Sequence, residues 1–379
     1  KSIDTINKDL KSKHKMFRLL QGDVGSGKTI VSIVSAINTI NSGYQVALMV
    51  PTEILAIQHY NFIKKNFNKF CNIEILTSKT KIKKKNEIIK NLNSNKINFI
   101  IGTHSLFQKK INFFNLGLVI IDEQHKFGVN QRKNLSEKGG DNCDVLVMSA
   151  TPIPRTMMMT IYGDMDITLI KSKPKSRKPV KTYSKLESKI IDVINFCKKE
   201  INNKNQIFWV CPLIEKSNKI DHQSSIERYN FLKKYFNKKI GLIHGRMDNF
   251  QKNIVLEKFL NKKIDLLVST TIIEVGIDFP NANLIVIENA NKFGLSQLHQ
   301  LRGRVGRGNK DSFCILLFNS NLSENAKKRI TILKNSNDGF EISEEDMKLR
   351  GYGDILGFKQ SGLKKFNLAD PILHKDLFE

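Results

Sequence analysis

LLQGDVGSGKTIVSIVSAINTI, residues 19–40, joins a short apolar run to GDVGSGKT and then to a long segment with helical apolar spacing. Gly22 to Thr29 match the phosphate-loop pattern in full, with a predicted strand before and a predicted helix after. The glycines Gly22, Gly25 and Gly27 let backbone N–H groups turn toward phosphate oxygens at a helix N-terminus. Ser26 belongs to the same cradle, Lys28 is placed for the β- and γ-phosphates, and the Thr29 hydroxyl is placed for Mg²⁺. The loop is built to hold a triphosphate.

Outward from this loop, apolar runs alternate with room for helices: MFRLLQ, YQVALMV, IEILTS, INFIIGT, LGLVIID and CDVLVMSA. Runs apolar on both faces, spaced in this way, predict a buried parallel sheet with crossover helices. A Lys-, Pro- and Ser-rich stretch, IKSKPKSRKPVKTYSK, reads as a linker. Beyond it the rhythm returns in QIFWVCPLI, KIGLIHG, IDLLVSTT, ANLIVIENA and FCILLF, without a second phosphate loop. The predicted class is α/β: two tandem P-loop lobes, which resemble RecA-like domains, and a C-terminal helical hairpin. The expected bounds are 1–168, a linker over 169–184, 185–330, and a third, smaller unit over 331–379.

Composition narrows the partners. The 379 residues carry 62 Lys+Arg against 36 Asp+Glu, a net charge of +26, which fits a polyanion binder. Part of that excess also lies on ordinary surface segments such as KTKIKKKNEIIKNLNSNKI, residues 79–97. The five scattered cysteines lack CxxC spacing, which argues against a disulfide framework and a zinc site. No run approaches the roughly 20 apolar residues of a membrane span, so the expectation is a cytoplasmic protein with no membrane partner. The opening Lys1 and the helix-like start lead us to expect a fragment of a longer chain.

A phosphate loop also needs an acid for its metal and a base for the attacking water. LGLVIIDEQH supplies both at a strand end: Asp122 for Mg²⁺ and Glu123 to polarise the water, with His125 as a nucleotide sensor. QLHQLRGRVGRG, residues 297–308, crowds arginines and glycines into one short unit. Glycines at this spacing weaken a helix by roughly 1 kcal/mol each and call for a reason. Arginine fingers supply it: Arg307, with Arg304 beside it, would stabilise charge on the transferring phosphoryl group.

GDVGSGKT, PTEILA, GTHSLF, DEQH, SATPIPRT, HGRM, STTIIEVGIDFPNA and QLHQLRGRVGRG follow the order of motifs I to VI of the superfamily 2 helicases. Within that superfamily the chain resembles the RecG family of ATP-dependent DNA helicases over nearly its whole length. HGRM, the EVGID form of the fifth motif and His299 favour it over the transcription-repair coupling factor. The resemblance implies that Gln300 and Gly303 belong to the arginine-finger element and that Asp278 lies at the nucleotide. Ser149, Ala150 and Thr151 would couple nucleotide state to DNA movement. Thr52, Thr103, Thr270 and Thr271 would touch the phosphate backbone without reading sequence, or serve only as caps at strand ends.

KNSNDGFEISEEDMKLRGYGDILGFKQSG, residues 334–362, resembles the family's translocation motif, with Arg350 and Gln360 as its working residues. The implied function is an ATP- and Mg²⁺-dependent motor that remodels branched DNA by fork reversal and Holliday-junction migration. DNA is the implied partner, as duplex, fork or four-way junction, with a single-stranded-DNA-binding protein as a further partner and a monomer as the working state. The family's N-terminal wedge domain and adenine-recognising glutamine motif have no counterpart in these residues. Three other readings remain: a coupling-factor translocase, a nucleotide-gated clamp without turnover, and a motor acting on RNA.

Overall fold

The computed structural model describes residues 1–108, 110–123, 140, 143–150, 165–172, 178–212, 218–236, 239–270, 279–306, 308 and 310–350. These form two compact units, one from the residues up to 150 together with 165–172, the other from 178 onward. In chain order the first unit contains α1 (Ser2–Leu10), β1 (Phe17–Gly22), α2 (Lys28–Asn41), β2 (Gln45–Met49), α3 (Glu53–Phe67), β3 (Ile73–Leu76) and α4 (Ile82–Asn93). It continues through β4 (Phe99–Gly102), β5 (Leu116–Ile121), β6 (Asp144–Ser149) and β7 (Asp166–Ile170).

The seven strands lie in the order β3-β4-β2-β5-β6-β1-β7, and every pair in the sheet is parallel. β2, β4 and β5 are buried along their whole length, as strands covered by helices on both faces must be. α2 buries Ile33, Ala36 and Ile40, spaced to share one face, in a core with Leu20, Leu48, Phe99, Ile120 and Met148.

The second unit contains β8 (Lys181–Leu186), α5 (Ile190–Asn202), β9 (Gln206–Val210), α6 (Asn218–Phe236), β10 (Ile240–Ile243), α7 (Asn249–Leu260), β11 (Leu266–Ser269) and β12 (Ala282–Ile287). α8 (Leu295–Arg302), β13 (Phe313–Phe318), α9 (Glu324–Asn335) and α10 (Gly339–Arg350) follow. Its strand order, β10-β11-β9-β12-β13-β8, repeats that of the first sheet with β9 in the place of β2 and β12 in the place of β5.

The repetition reaches single hydrogen bonds. Gln45, first residue of β2, donates its amide to the Leu92 and Ile97 carbonyls at 2.9 and 2.7 Å. Gln206, first residue of β9, donates to Phe259 and Ile264, both at 2.6 Å. In each unit a buried glutamine ties the end of a crossover helix to the strand that follows it, satisfying carbonyls that burial would otherwise leave unpaired.

Two expected boundaries differ from the structure. Strands occupy both ends of the expected 169–184 linker, since β7 runs to Ile170 and β8 starts at Lys181. Both are edge strands of their sheets with exposed, partly polar faces, so they lack the continuous apolar signal of the central strands. The described part of the expected third unit, up to residue 350, packs on the second: α9 and α10 contact α8, and α9 also contacts β8.

Candidate functional site

The candidate residues of the first unit gather at the C-terminal ends of its parallel strands, the edge where open α/β sheets hold ligands. Gly22 ends β1 and Lys28 opens α2, so the phosphate loop spans the strand-to-helix turn. Gly25 and Gly27 have φ of 75° and 95°, left-handed values that glycine reaches without penalty. A Cβ on Gly22 would fall 2.4 Å from Ser26 Oγ. Lys28 is buried, and its Nζ donates to the Gly22 and Asp23 carbonyls of the loop at 2.7 and 2.9 Å. Ser26 Oγ is buried with no hydrogen-bond partner. A buried hydroxyl without a partner, beside a buried ammonium that donates to loop carbonyls, fits a cradle for phosphate oxygens.

Asp122 and Glu123 follow β5, two places from β1 in the sheet with β6 between, and both are buried. Asp122 Oδ1 accepts the Glu123 amide at 3.0 Å, and Asp122 Oδ2 lies 3.4 Å from Nε2 of the buried His59 on α3. Glu123 takes φ 53°, an uncommon value for a residue with a side chain and one that recurs at functional sites. Thr29 is the second residue of α2. These oxygens fit a hard divalent cation, with Thr29 and Asp122 as the candidate residues for Mg²⁺.

Other candidates on this edge are Ser149 and Ala150 at the end of β6 and Thr103 after β4, all buried. Thr52 is the N-cap of α3, its hydroxyl accepting the Leu55 amide at 3.3 Å. That is the cap alternative weighed for it, and it leaves the hydroxyl proton available.

In the second unit Thr270 follows β11, is buried, and has an Oγ1 without a partner. Gln300 lies on α8, Gly303 is its C-cap, and Arg304 is buried just beyond. His125, Thr151, Thr271, Asp278, Arg307 and Gln360 lie outside the described residues, as does the side chain of Arg350.

Four working positions escaped sequence reasoning. His59 is one. Arg302, first of the three clustered arginines, is an anchor: its Nη1 donates to the Leu333 and Ser336 carbonyls at 2.6 and 2.8 Å, and its Nη2 lies 3.0 Å from His299 Nδ1. Asp346 on α10 accepts the Ser296 amide at 3.3 Å and the Ser296 hydroxyl, capping the start of α8. Arg329 of α9 donates to the Phe293 carbonyl at 2.6 Å, in the turn before α8. The hairpin α9–α10 therefore grips both ends of the helix that leads into Arg304. The sequence signal for His59 was present: Leu55, Ala56, His59 and Ile63 share the buried face of α3, so a histidine interrupts an apolar stripe.

A phosphate loop, a strand-end acid and a second sheet of the same topology define a two-lobed P-loop motor of the helicase class. Family models agree: the DEAD/DEAH box helicase model matches residues 3–160, the helicase conserved C-terminal domain residues 188–309, and the C-terminal part of RecG domain 3 residues 336–373. The chain is 48% identical over 370 residues to the ATP-dependent DNA helicase RecG of Bacillus subtilis, covering 97% of this chain and 54% of the relative. It is 47% identical over 375 residues to that of Thermotoga maritima, covering 98% and 48%. A solved structure of RecG bound to a three-way DNA junction matches with a TM-score of 0.84 and 42% identity, over 100% of this chain and 49% of that one. The chain belongs to the RecG family, and it spans about half the length of the relatives it matches.

Proposed function

We propose that this chain is the ATP-driven motor of a DNA helicase that remodels branched DNA by fork reversal and Holliday-junction migration. The observation that carries the reading is the shared sheet edge: the loop after β1 and Asp122 after β5 lie two strands apart, so one nucleotide can meet both. Lys28, Ser26 and the loop amides hold the phosphates; Asp122 and Thr29 hold Mg²⁺, which supplies charge neutralisation when bound; Glu123 orients the attacking water. Arg304 and Arg307, with Gln300 beside them, stabilise charge as the phosphoryl group transfers. Asp278 belongs at the nucleotide. His125, Ser149 and Thr151 relay nucleotide state, and Thr52, Thr103, Thr270 and Thr271 bear on the DNA backbone.

The tie between α8 and the hairpin supports a role for α10 and the segment after it in moving DNA, with Arg350 and Gln360 as the contacting residues. The RecG relatives favour branched DNA over the stalled polymerase that a coupling translocase would act on. Action as a monomer, with a single-stranded-DNA-binding protein as a partner, follows from the family resemblance.

The test is the ATPase rate of this chain alone and with single-stranded DNA, duplex DNA, forked DNA and an RNA duplex, with Lys28→Ala as control. Stimulation by duplex or forked DNA above RNA is expected. Stimulation by RNA alone, or turnover retained in Lys28→Ala, overturns the reading.

A further inference from the structure

The two sheets repeat each other down to the acid at the strand tip. Asp122 follows β5 and its amide donates to the Met49 carbonyl, last residue of β2, at 2.9 Å; Glu288 follows β12 and its amide donates to Val210, last residue of β9, also at 2.9 Å. The next residue is left-handed in both, Glu123 at φ 53° and Asn289 at φ 46°. In both units a basic side chain from the helix after the neighbouring strand faces this acid. For Glu288 it is Arg228 of α6, with Nε 2.6 Å from Oε1. For Asp122 it is His59 of α3, with Nε2 3.4 Å from Oδ2.

The chemical difference tracks the difference between the units. β8 leads into a 3₁₀ turn, Glu187–Lys189, where β1 leads into the phosphate loop. The second unit thus has no phosphate loop beside its acid, and a permanent cation, Arg228, compensates the buried Glu288 together with the Trp209 indole N–H. The first unit has the phosphate loop, and a guanidinium in that place would cancel the charge a metal needs. An imidazole can face one carboxylate oxygen through a ring nitrogen without the permanent charge of a guanidinium.

A core histidine with no task is the plain alternative. It fails on one point: His59 is 7% exposed, and its Nε2 makes no aligned hydrogen bond yet lies 3.4 Å from the Asp122 carboxylate. Burying an imidazole N–H in an apolar face costs free energy unless something answers it.

We propose that His59 is the positioning residue of the metal-carrying carboxylate. With Oδ1 held by the Glu123 amide and Oδ2 faced by His59, the plane of the carboxylate is fixed before a divalent cation arrives. This rests on Asp122 being the metal ligand. Ligand-orienting contacts of this kind govern about 10–100-fold of metal affinity.

The test measures binding of a non-hydrolysable ATP analogue to the 379-residue chain by calorimetry, in EDTA and across a MgCl₂ titration. His59→Ala is expected to raise the Mg²⁺ concentration for half-maximal effect by about 10-fold, with affinity in EDTA unchanged. His59→Gln, which keeps an N–H donor, recovers much of the loss. His59→Arg, which copies the second unit, loses the Mg²⁺ effect as fully as Asp122→Asn. An unchanged Mg²⁺ midpoint in His59→Ala and His59→Arg, or an equal loss of affinity with and without Mg²⁺, overturns the proposal. If Asp122→Asn keeps the Mg²⁺ effect, the reading of Asp122 itself fails, and the two failures are told apart.

Discussion

Asp346 on the second hairpin helix places a carboxylate oxygen 3.3 Å from the amide of Ser296, at the N-terminal turn of the helix that ends at Arg302. A carboxylate there satisfies an unpaired amide and meets the positive end of the helix dipole. Arg302 at the other end of the same helix reaches back to the turn between α9 and α10. Polar contacts at both ends and one packed face therefore join α8 to the hairpin.

Removing the cap should show this. Asp346→Ala is expected to lower stability by about 1 kcal/mol, as lost N-caps do, in urea unfolding. It should also reduce DNA stimulation of the ATPase more than the rate without DNA. Equal reduction of both rates would mean that the contact holds the fold and carries no coupling.

The central strands and the phosphate loop were legible because their signals are local: continuous apolar runs, and glycines where the backbone must go left-handed. β7 and β8 were not, because an edge strand such as KTYSKL exposes four of its six residues and has no continuous run to read. The role of Arg302 was hidden for a different reason. The partners that make it an anchor are backbone carbonyls 31 and 34 residues away, and carbonyls leave no trace in residue types. The pairing of His59 with Asp122 joins a helix to a strand end and needed the fold before the interrupted stripe on α3 had a meaning.

The ion pair of the second unit yields a stability prediction. Burial pushes the Glu288 carboxyl above its ordinary value of 4.5, with Arg228 and the Trp209 N–H pulling it down. Arg228→Met leaves a buried acid without its cation, a loss on the order of 3 kcal/mol. The sign with pH follows: an acid raised in the folded state binds protons better folded than unfolded, so the deficit grows as pH rises above about 4.5 and shrinks below it. Urea unfolding at pH 4 and pH 7 measures this, and adding Glu288→Gln should restore most of the loss. A deficit independent of pH would exclude Glu288 as its origin.

Asp144 opens β6 and accepts the Met16 amide at 2.7 Å. Desolvation is the larger influence and lifts its pKa from 3.8 to about 6. Between those values the folded chain holds the proton and the unfolded chain releases it, so this group's contribution to stability falls as pH rises from about 4 to about 6. Asp144→Asn keeps a carbonyl oxygen for Met16 and does not titrate. The unfolding midpoint of the variant should be flatter than that of the parent across this window, and parallel curves would count against the assignment.

The arginines of QLHQLRGRVGRG should separate by readout. Arg302 is buried and holds two backbone carbonyls of the hairpin turn, which its removal leaves without a charged donor. Arg302→Ala is thus expected to cost on the order of 2–4 kcal/mol in unfolding free energy and to loosen α9 and α10 in hydrogen exchange. Arg304 and Arg307 act, in the proposed mechanism, on charge that develops only during phosphoryl transfer. Arg307→Ala should therefore lower kcat by about 10³ or more with ATP binding nearly unchanged, and Arg304→Ala should do so in the same direction. If Arg307→Ala weakens ATP binding while turnover stays normal, its contact belongs to the ground state. If Arg302→Ala instead unfolds like the parent and loses only kcat, the anchor and the finger have been assigned to the wrong arginines.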